Sequence, residues 1–242
     1  MTEEKKPVIS VSDLYKIYRV GDTKVKALNG IDFTIYKGEF CAIVGTSGSG
    51  KSTLLNMLAG LEQPTRGEIV IAGEHMENKT ENQLVKFRRE HIGFIFQSFN
   101  LMSTLDAIEN VALPLNFQGI EKKERLLRAE KVLELVGLGT HKKHRPTQMS
   151  GGQQQRVGVA RALVVDPELI FADEPTGNLD SNTSKEVMEL MKKVVREQNQ
   201  TLVMVTHDEK LAAFADRIFQ ISDGKITKII DNTQPDLMYE EI

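Results

Sequence analysis

The sequence predicts an α/β fold: a doubly wound core with a mostly parallel sheet, an antiparallel β portion at the N-terminus, and a helical segment inserted into the core. Three observations carry that expectation. Gly45-Thr46-Ser47-Gly48-Ser49-Gly50-Lys51-Ser52 lies between the apolar run Phe40-Cys41-Ala42-Ile43-Val44 and the helix-like Thr53-Leu54-Leu55-Asn56-Met57-Leu58, so strand, loop and helix follow in series. Apolar runs recur at residues 92–96, 169–172 and 201–206 with helical patterns between them, the alternation that builds a parallel sheet. Residues 98–166 are instead dominated by helical periodicity and read as a subdomain that can move.

Taken in order, Val8-Ile9-Ser10-Val11 and residues 24–35 alternate apolar and polar side chains, which suggests antiparallel strands with one buried face and a turn at Gly21-Asp22. Between them, Tyr15 reads as core and Tyr18 as a face for a base, because any aromatic face suits adenine. Residues 60–67 are dense in breakers, residues 68–72 return as a strand, and Leu84-Val85-Lys86-Phe87-Arg88-Arg89 reads as a helix leading into strand 92–96. In the insertion, Leu126, Ala129, Val132, Leu133 and Val136 form an apolar stripe against Lys122, Lys123, Arg125, Arg128 and Lys131, and Gly137 and Gly139 end it. A second helix opens at Ser150 and runs through Val157, Ala160, Leu163 and Val164 to a stop at Asp166-Pro167. Further on come a strand ending in Asp173-Glu174, the loop Gly177-Asn178-Leu179-Asp180, and a helix burying Val187, Leu190, Met191, Val194 and Val195. Strand 201–206 and a hairpin of residues 217–221 and 226–230 close the fold, and the polar end from Asp231 is expected to be poorly ordered.

A chain of 242 residues supports one domain: a core of about residues 1–97 and 167–230, a helical subdomain of about 98–166, and a tail of 231–242. The 40% hydrophobic and 27% charged residues are those of a globular protein, and a net charge of −3 gives no general attraction to nucleic acid. No apolar run approaches the ~20 residues needed to cross a bilayer. Met1-Thr2-Glu3-Glu4-Lys5-Lys6 lacks the apolar core of a signal peptide, so a cytoplasmic location is expected. The single Cys41 excludes an internal disulfide or a multi-thiolate zinc site, and its place in a strand makes it a buried filler.

The chemistry sits at strand ends. In the loop from Gly45, glycines let the backbone curl so that its N–H groups face phosphate oxygens, and the following helix adds its positive dipole end. Lys51 there would neutralise β- and γ-phosphates, and the Ser52 hydroxyl is placed to ligate Mg²⁺. Gln97 ends a strand with an amide oxygen that can reach a metal or a water. Asp173 suits a phosphate-bound Mg²⁺, and Glu174 can orient a water for attack. His207 ends the next strand, where it can hydrogen-bond a terminal phosphate or that water. Ser150 is a good N-cap, and Gly151-Gly152 after it expose backbone N–H groups, a second anion-ready helix end.

In this order the motifs resemble those of the nucleotide-binding subunits of ATP-binding cassette (ABC) transporters, a P-loop NTPase fold, over residues 8–230. The resemblance covers the aromatic Tyr18, the phosphate loop, Gln97, the signature Ser150-Gly151-Gly152-Gln153-Gln154, Asp173 with Glu174, the loop ending at Asp180, and His207; Met149 stands where the family usually has leucine. It implies ATP contacts from Tyr18, Gly45, Ser47, Gly48, Ser49, Gly50, Lys51, Ser52, Thr53, Gln97, Ser150, Gly151, Gly152, Gln153 and Asp180, and Mg²⁺ ligation by Ser52, Gln97 and Asp173. It also implies catalysis by Glu174, His207 and Lys51, with Gln97 coupling the site to the partner. Two subunits would pair head to tail, residues 150–153 of one meeting the γ-phosphate held by Lys51 of the other, at the cytoplasmic face of a membrane and bound to permease subunits.

Residues 172–181, with Asn110-Val111-Ala112-Leu113-Pro114-Leu115, are similar to the subgroup serving lipoprotein release, macrolide export, antimicrobial-peptide resistance and division-linked signalling, whose members can work with an extracytoplasmic adaptor. A soluble cassette acting on nucleic acid or the ribosome is the competing class. Only 122 positions separate Lys51 from Asp173, zinc cysteines are absent, and one copy of each motif is present, all of which weigh against it. A cassette that serves as an ATP-gated switch with little turnover keeps every binding residue and stays open as a third reading.

Overall fold

The computed structural model describes residues 6–233, and their contacts divide into two compact units, one of residues 79–202 and one made of the chain on either side. The first unit opens with β1 (Pro7–Val20) and β2 (Thr23–Tyr36), an antiparallel pair turning at Gly21-Asp22 as the alternation predicts. Ile9, Val11 and Leu14 of β1 and Leu28, Ile31, Phe33 and Ile35 of β2 are buried, so one face of the ribbon makes the core. Tyr15, expected in that core, is only half-buried, because its ring lies over Gly30 and beneath the Arg66 guanidinium. Next come β3 (Phe40–Val44), buried at every position, and α1 (Lys51–Leu58). Then β4 (Arg66–Ile71) joins β1 antiparallel and the short β5 (Glu74–His75) follows, giving the order β2-β1-β4-β5. This is the expected antiparallel β portion.

The second unit begins with α2 (Glu81–His91), started by a capping box of Thr80 and Gln83, and β6 (Ile92–Phe96). A capping box of Asp106 and Glu109 likewise starts α3 (Ala107–Phe117), whose first two N–H groups donate to the carbonyls of His144 (2.9 Å) and Lys142 (3.0 Å). Asn110 is fully buried on α3; it accepts from the Met102 N–H and donates to the Met102 and Leu105 carbonyls, pinning the loop before the helix. α4 (Lys122–Leu135) buries Ala129 and Leu133 of the predicted stripe and stops where Gly137 turns left-handed, with the Leu138 N–H closing on the Leu133 carbonyl. α5 (Gly151–Leu163) leads to β7 (Leu169–Asp173), which pairs parallel with β6 in the register Ile92↔Leu169 to Phe96↔Asp173. α6 (Ser181–Glu197) buries Val187, Met188, Met191, Val194 and Val195. Met188 takes the place predicted for Leu190, which is half-buried, because the apolar face is rotated slightly.

β8 (Thr201–Thr206) carries the chain back into the first unit, where α7 (Glu209–Ala212), β9 (Arg217–Ser222) and β10 (Lys225–Asp231) complete it. There the order is β10-β9-β3-β8, with β9 parallel to β3 and antiparallel to β10. Arg217 bonds the Glu39 carboxylate at 3.0 Å, both side chains mostly shielded, and its guanidinium lies 5.0 Å from the Phe219 ring centroid. Cys41 is buried beside this pair, and burial pushes its thiol far above the usual range, as its filler role requires. The predicted tail starts inside β10, where the Asp231 carboxylate accepts from the Thr233 N–H at 2.9 Å; the remainder of that tail and the first five residues of the chain lie outside the described residues. Among the described residues, no helix is long and apolar enough to cross a membrane.

Candidate active site

The phosphate loop follows from the packing around β3. A Cβ on Gly45 would come within 2.3 Å of the Ile221 carbonyl oxygen and 2.6 Å of Ser49 Oγ, so only a bare backbone passes there. Gly50 combines φ of 106° with a carbonyl, that of Ala27, 2.5 Å from where its Cβ would be, and both conditions require glycine. The Ser49 N–H donates to the Thr46 carbonyl, closing the curl, and the Gly224 N–H donates to the Ser49 carbonyl. Lys51 is 8% exposed, and its ammonium donates to the carbonyls of Gly45 and Thr46 at 2.8 Å each. The loop thus wraps around its own cation. Thr46, Ser47, Gly48 and Ser52 are exposed along it, Thr53 is half-buried, and the buried Ser49 hydroxyl has no hydrogen-bond partner.

Tyr18 lies on β1 in the same unit. Its hydroxyl donates to Glu62 Oε2 at 2.5 Å, the Lys16 ammonium stands 3.5 Å from that same oxygen, and the ammonium is 5.2 Å from the Tyr18 ring centroid. Burial first, then the Glu62 hydrogen bond, raises the phenol pKa, so the ring stays neutral and fixed in direction. His207 is exposed just past β8, and β8 neighbours β3, so His207 and Gly45 follow adjacent strands.

In the second unit the other site residues also gather at strand ends. Because Phe96 is in register with Asp173, Gln97 leaves β6 at the level where Glu174 leaves β7. Glu174 is half-buried with φ of 44°, a left-handed conformation uncommon outside glycine and concentrated at functional sites. Gln97 lies on the following loop: its amide would be 2.6 Å from a Cβ on Gly177, and its carbonyl accepts from Asn178 Nδ2 at 3.0 Å. At the start of α5, Ser150 Oγ accepts from the Gln153 N–H and Gln153 Oε1 from the Ser150 N–H, a reciprocal capping box. Gly151 packs against Leu179 and Gly152 against Thr183, so the signature residues and the loop ending at Asp180 are one packed cluster. Asp180 itself caps α6, accepting from the N–H groups of Asn182 and Thr183 and from the Thr183 hydroxyl at 2.6 Å; the hydroxyl bond foremost holds its carboxyl below the usual range.

The sequence reading passed over Arg161 and Asn178. Arg161 donates to the carbonyls of Asn100 (2.5 Å) and Phe99 (2.8 Å), both residues left-handed, and burial lowers its pKa. It thereby ties the segment after Gln97 to α5. The signal was present, since Arg161 is the lone charge between Arg156 and Asp166 in an apolar helix.

These features define an ATP-binding cassette, and the comparisons agree: the ABC transporter family model matches residues 28–177, and the chain belongs to that family as an ATP-hydrolysing subunit. Its relatives include an uncharacterized ABC transporter ATP-binding protein of Thermotoga maritima, 49% identical over 224 residues, which are 93% of this chain and 95% of that one. The macrolide export ATP-binding/permease protein MacB of Escherichia coli K12 is 46% identical over 222 residues, 92% of this chain but 34% of that longer one. Among solved structures, the dimeric post-hydrolysis state of the ATP-binding cassette MJ0796 bound to ADP and Pi superposes with a TM-score of 0.84 at 42% identity, covering 93% of this chain and 98% of that one. The resemblance drawn from the motifs, including its MacB-like subgroup, is therefore confirmed.

Proposed function

We propose that this chain pairs head to tail with a second copy around ATP and, from the cytoplasmic face of a membrane, drives permease subunits that export a substrate or transmit force. The observation that carries this reading is that one chain has two anion-ready helix ends, α1 behind the phosphate loop and the capped, glycine-led α5. One triphosphate needs a single phosphate loop, so the α5 end of each copy is left to meet the γ-phosphate of the other. The dimeric MJ0796 cassette supports the pairing, and the export proteins among the relatives support the permease partner. A macrolide, a lipoprotein or an antimicrobial peptide is the substrate class in this reading, with an extracytoplasmic adaptor completing the assembly.

The donors on offer fit Mg²⁺. The Ser52 hydroxyl, the Gln97 amide oxygen and the Asp173 carboxylate are hard oxygen ligands, and they are few. That suits an ion held by few protein groups and shared with phosphates. When bound, Mg²⁺ supplies charge neutralisation on the β- and γ-phosphates. Lys51, already curled into the loop, turns from its carbonyl partners to the phosphates; Tyr18 stacks on adenine with the ring face opposite Lys16. Glu174 accepts the proton of the attacking water, and His207 holds the transferring phosphoryl group. Asp180 keeps α6 capped and holds the loop before it against the nucleotide.

The test is purification of tagged Glu174→Gln protein from its native membranes in mild detergent with Mg-ATP. A copurifying multi-span subunit is expected, and a large extracytoplasmic domain on it favours force transmission. Recovery of ribosomes or nucleic acid alone overturns the membrane reading.

A further inference from the structure

Gln155 differs from the two glutamines before it. It is fully buried, and neither atom of its carboxamide has a hydrogen-bond partner. An unpaired buried amide opposes folding, and an apolar side chain of the same shape would serve the core better. Its surroundings suggest what the amide is for. Gly151, Gln155 and Gly158 are spaced four and three apart, so they share one face of α5. Phe99 lies along that face: its ring would be 3.8 Å from a Cβ on Gly151, and its carbonyl oxygen 3.9 Å from a Cβ on Gly158. The same point at Gly158 is 3.6 Å from Gln155 Oε1, so the carboxamide and the Phe99 carbonyl border one gap that a glycine keeps clear. Phe99 and Asn100 are both left-handed and held at their carbonyls by Arg161, and a carbonyl oxygen accepts a second donor.

We propose that Gln155 is a positioning residue: when the N-terminus of α5 engages nucleotide, its amide nitrogen swings into the gap at Gly158 and donates to the Phe99 carbonyl, fixing the segment that carries Gln97. It touches neither ATP nor the attacking water. It acts through Phe99, two residues beyond Gln97. The inference rests on the reading that residues 150–153 grip the nucleotide of the other copy.

Two variants separate this role from a packing role. Gln155→Met keeps the length and removes the hydrogen bond. Gly158→Ala fills the gap at ordinary contact distance and favours the helix. Both are expected to melt no lower than the parent without nucleotide and to bind a fluorescent ATP analogue as tightly as the parent monomer. Their kcat should fall about tenfold, and in the Glu174→Gln background they should need about tenfold more ATP to dimerise, the worth of one hydrogen bond. A lower melting temperature for Gln155→Met with unchanged kcat, or unchanged kcat and dimerisation in both variants, overturns the proposal. If Gln155→Met does not fold, Gly158→Ala decides alone. A Glu174→Gln parent that never dimerises sinks the head-to-tail reading itself, whereas a dimerising parent with indifferent variants sinks only the role of Gln155.

Discussion

Lys51 shows how much one side chain contributes at two levels. Its ammonium satisfies two loop carbonyls, so it shapes the curl of the empty loop, and in the proposed function the same charge turns to the triphosphate. Lys51→Ala therefore removes both the cradle and the charge. Hydrolysis should fall on the order of 10²–10³-fold or more, as for other groups aimed at transition-state charge. The fold should lose only about 1–2 kcal/mol, the cost of the bonds to two carbonyls of an exposed or half-buried loop. Steady-state phosphate release and thermal melting on the same preparation check the two halves; wild-type turnover would remove Lys51 from the chemistry. Cys41, by contrast, was legible as a buried residue from its apolar strand, and burial holds its thiol protonated.

At the scale of elements, the capping of α6 makes the start of that helix, at the end of the loop finishing in Asp180, a pH-dependent structure. Hydrogen bonds hold the Asp180 carboxyl below its ordinary value, so the ionised cap stabilises the fold above the ordinary carboxylate pKa of about 3.9, and that contribution is lost as pH falls through the lower folded value. Asp180→Asn remains a capping residue without the charge. Its melting temperature should lie below the parent's at neutral pH, and the gap should close as the pH drops toward 3; a gap constant over that range would mean the charge plays no part. Local signals of this sort were readable: the Gly21-Asp22 turn, the Ser150 cap with Gln153 three residues on, and the glycine stop of α4 are each written within a few residues. What the sequence could not show are the partners of Asn110 and Arg161, backbone carbonyls 4–8 residues upstream for the first and 61–62 residues away for the second. Every residue carries a carbonyl, so no side-chain pattern marks the one that is used. The pairing of β6 with β7, across the whole helical insertion, is hidden for a related reason: parallel register depends on strands far apart in the chain.

For the whole molecule, the division of labour between copies makes a kinetic prediction. The phosphate loop and His207 belong to one unit of the chain, and Gln97, Glu174 and the signature belong to the other. In the head-to-tail reading, the signature residues serve the nucleotide of the opposite copy, so a lone chain binds ATP at Lys51 but has no α5 end to close on it. Specific ATPase activity of the isolated cassette should then rise with protein concentration, nearly in proportion while monomer predominates, and level off once ATP has drawn most chains into pairs. If Mg²⁺ is shared between protein oxygens and phosphates as proposed, EDTA should abolish turnover at every concentration. Light scattering beside the rate measurement ties the rise to dimer formation. A specific activity that stays flat while the protein remains monomeric would mean that one copy holds a complete site, and the second anion-ready helix end would then have to serve something other than ATP.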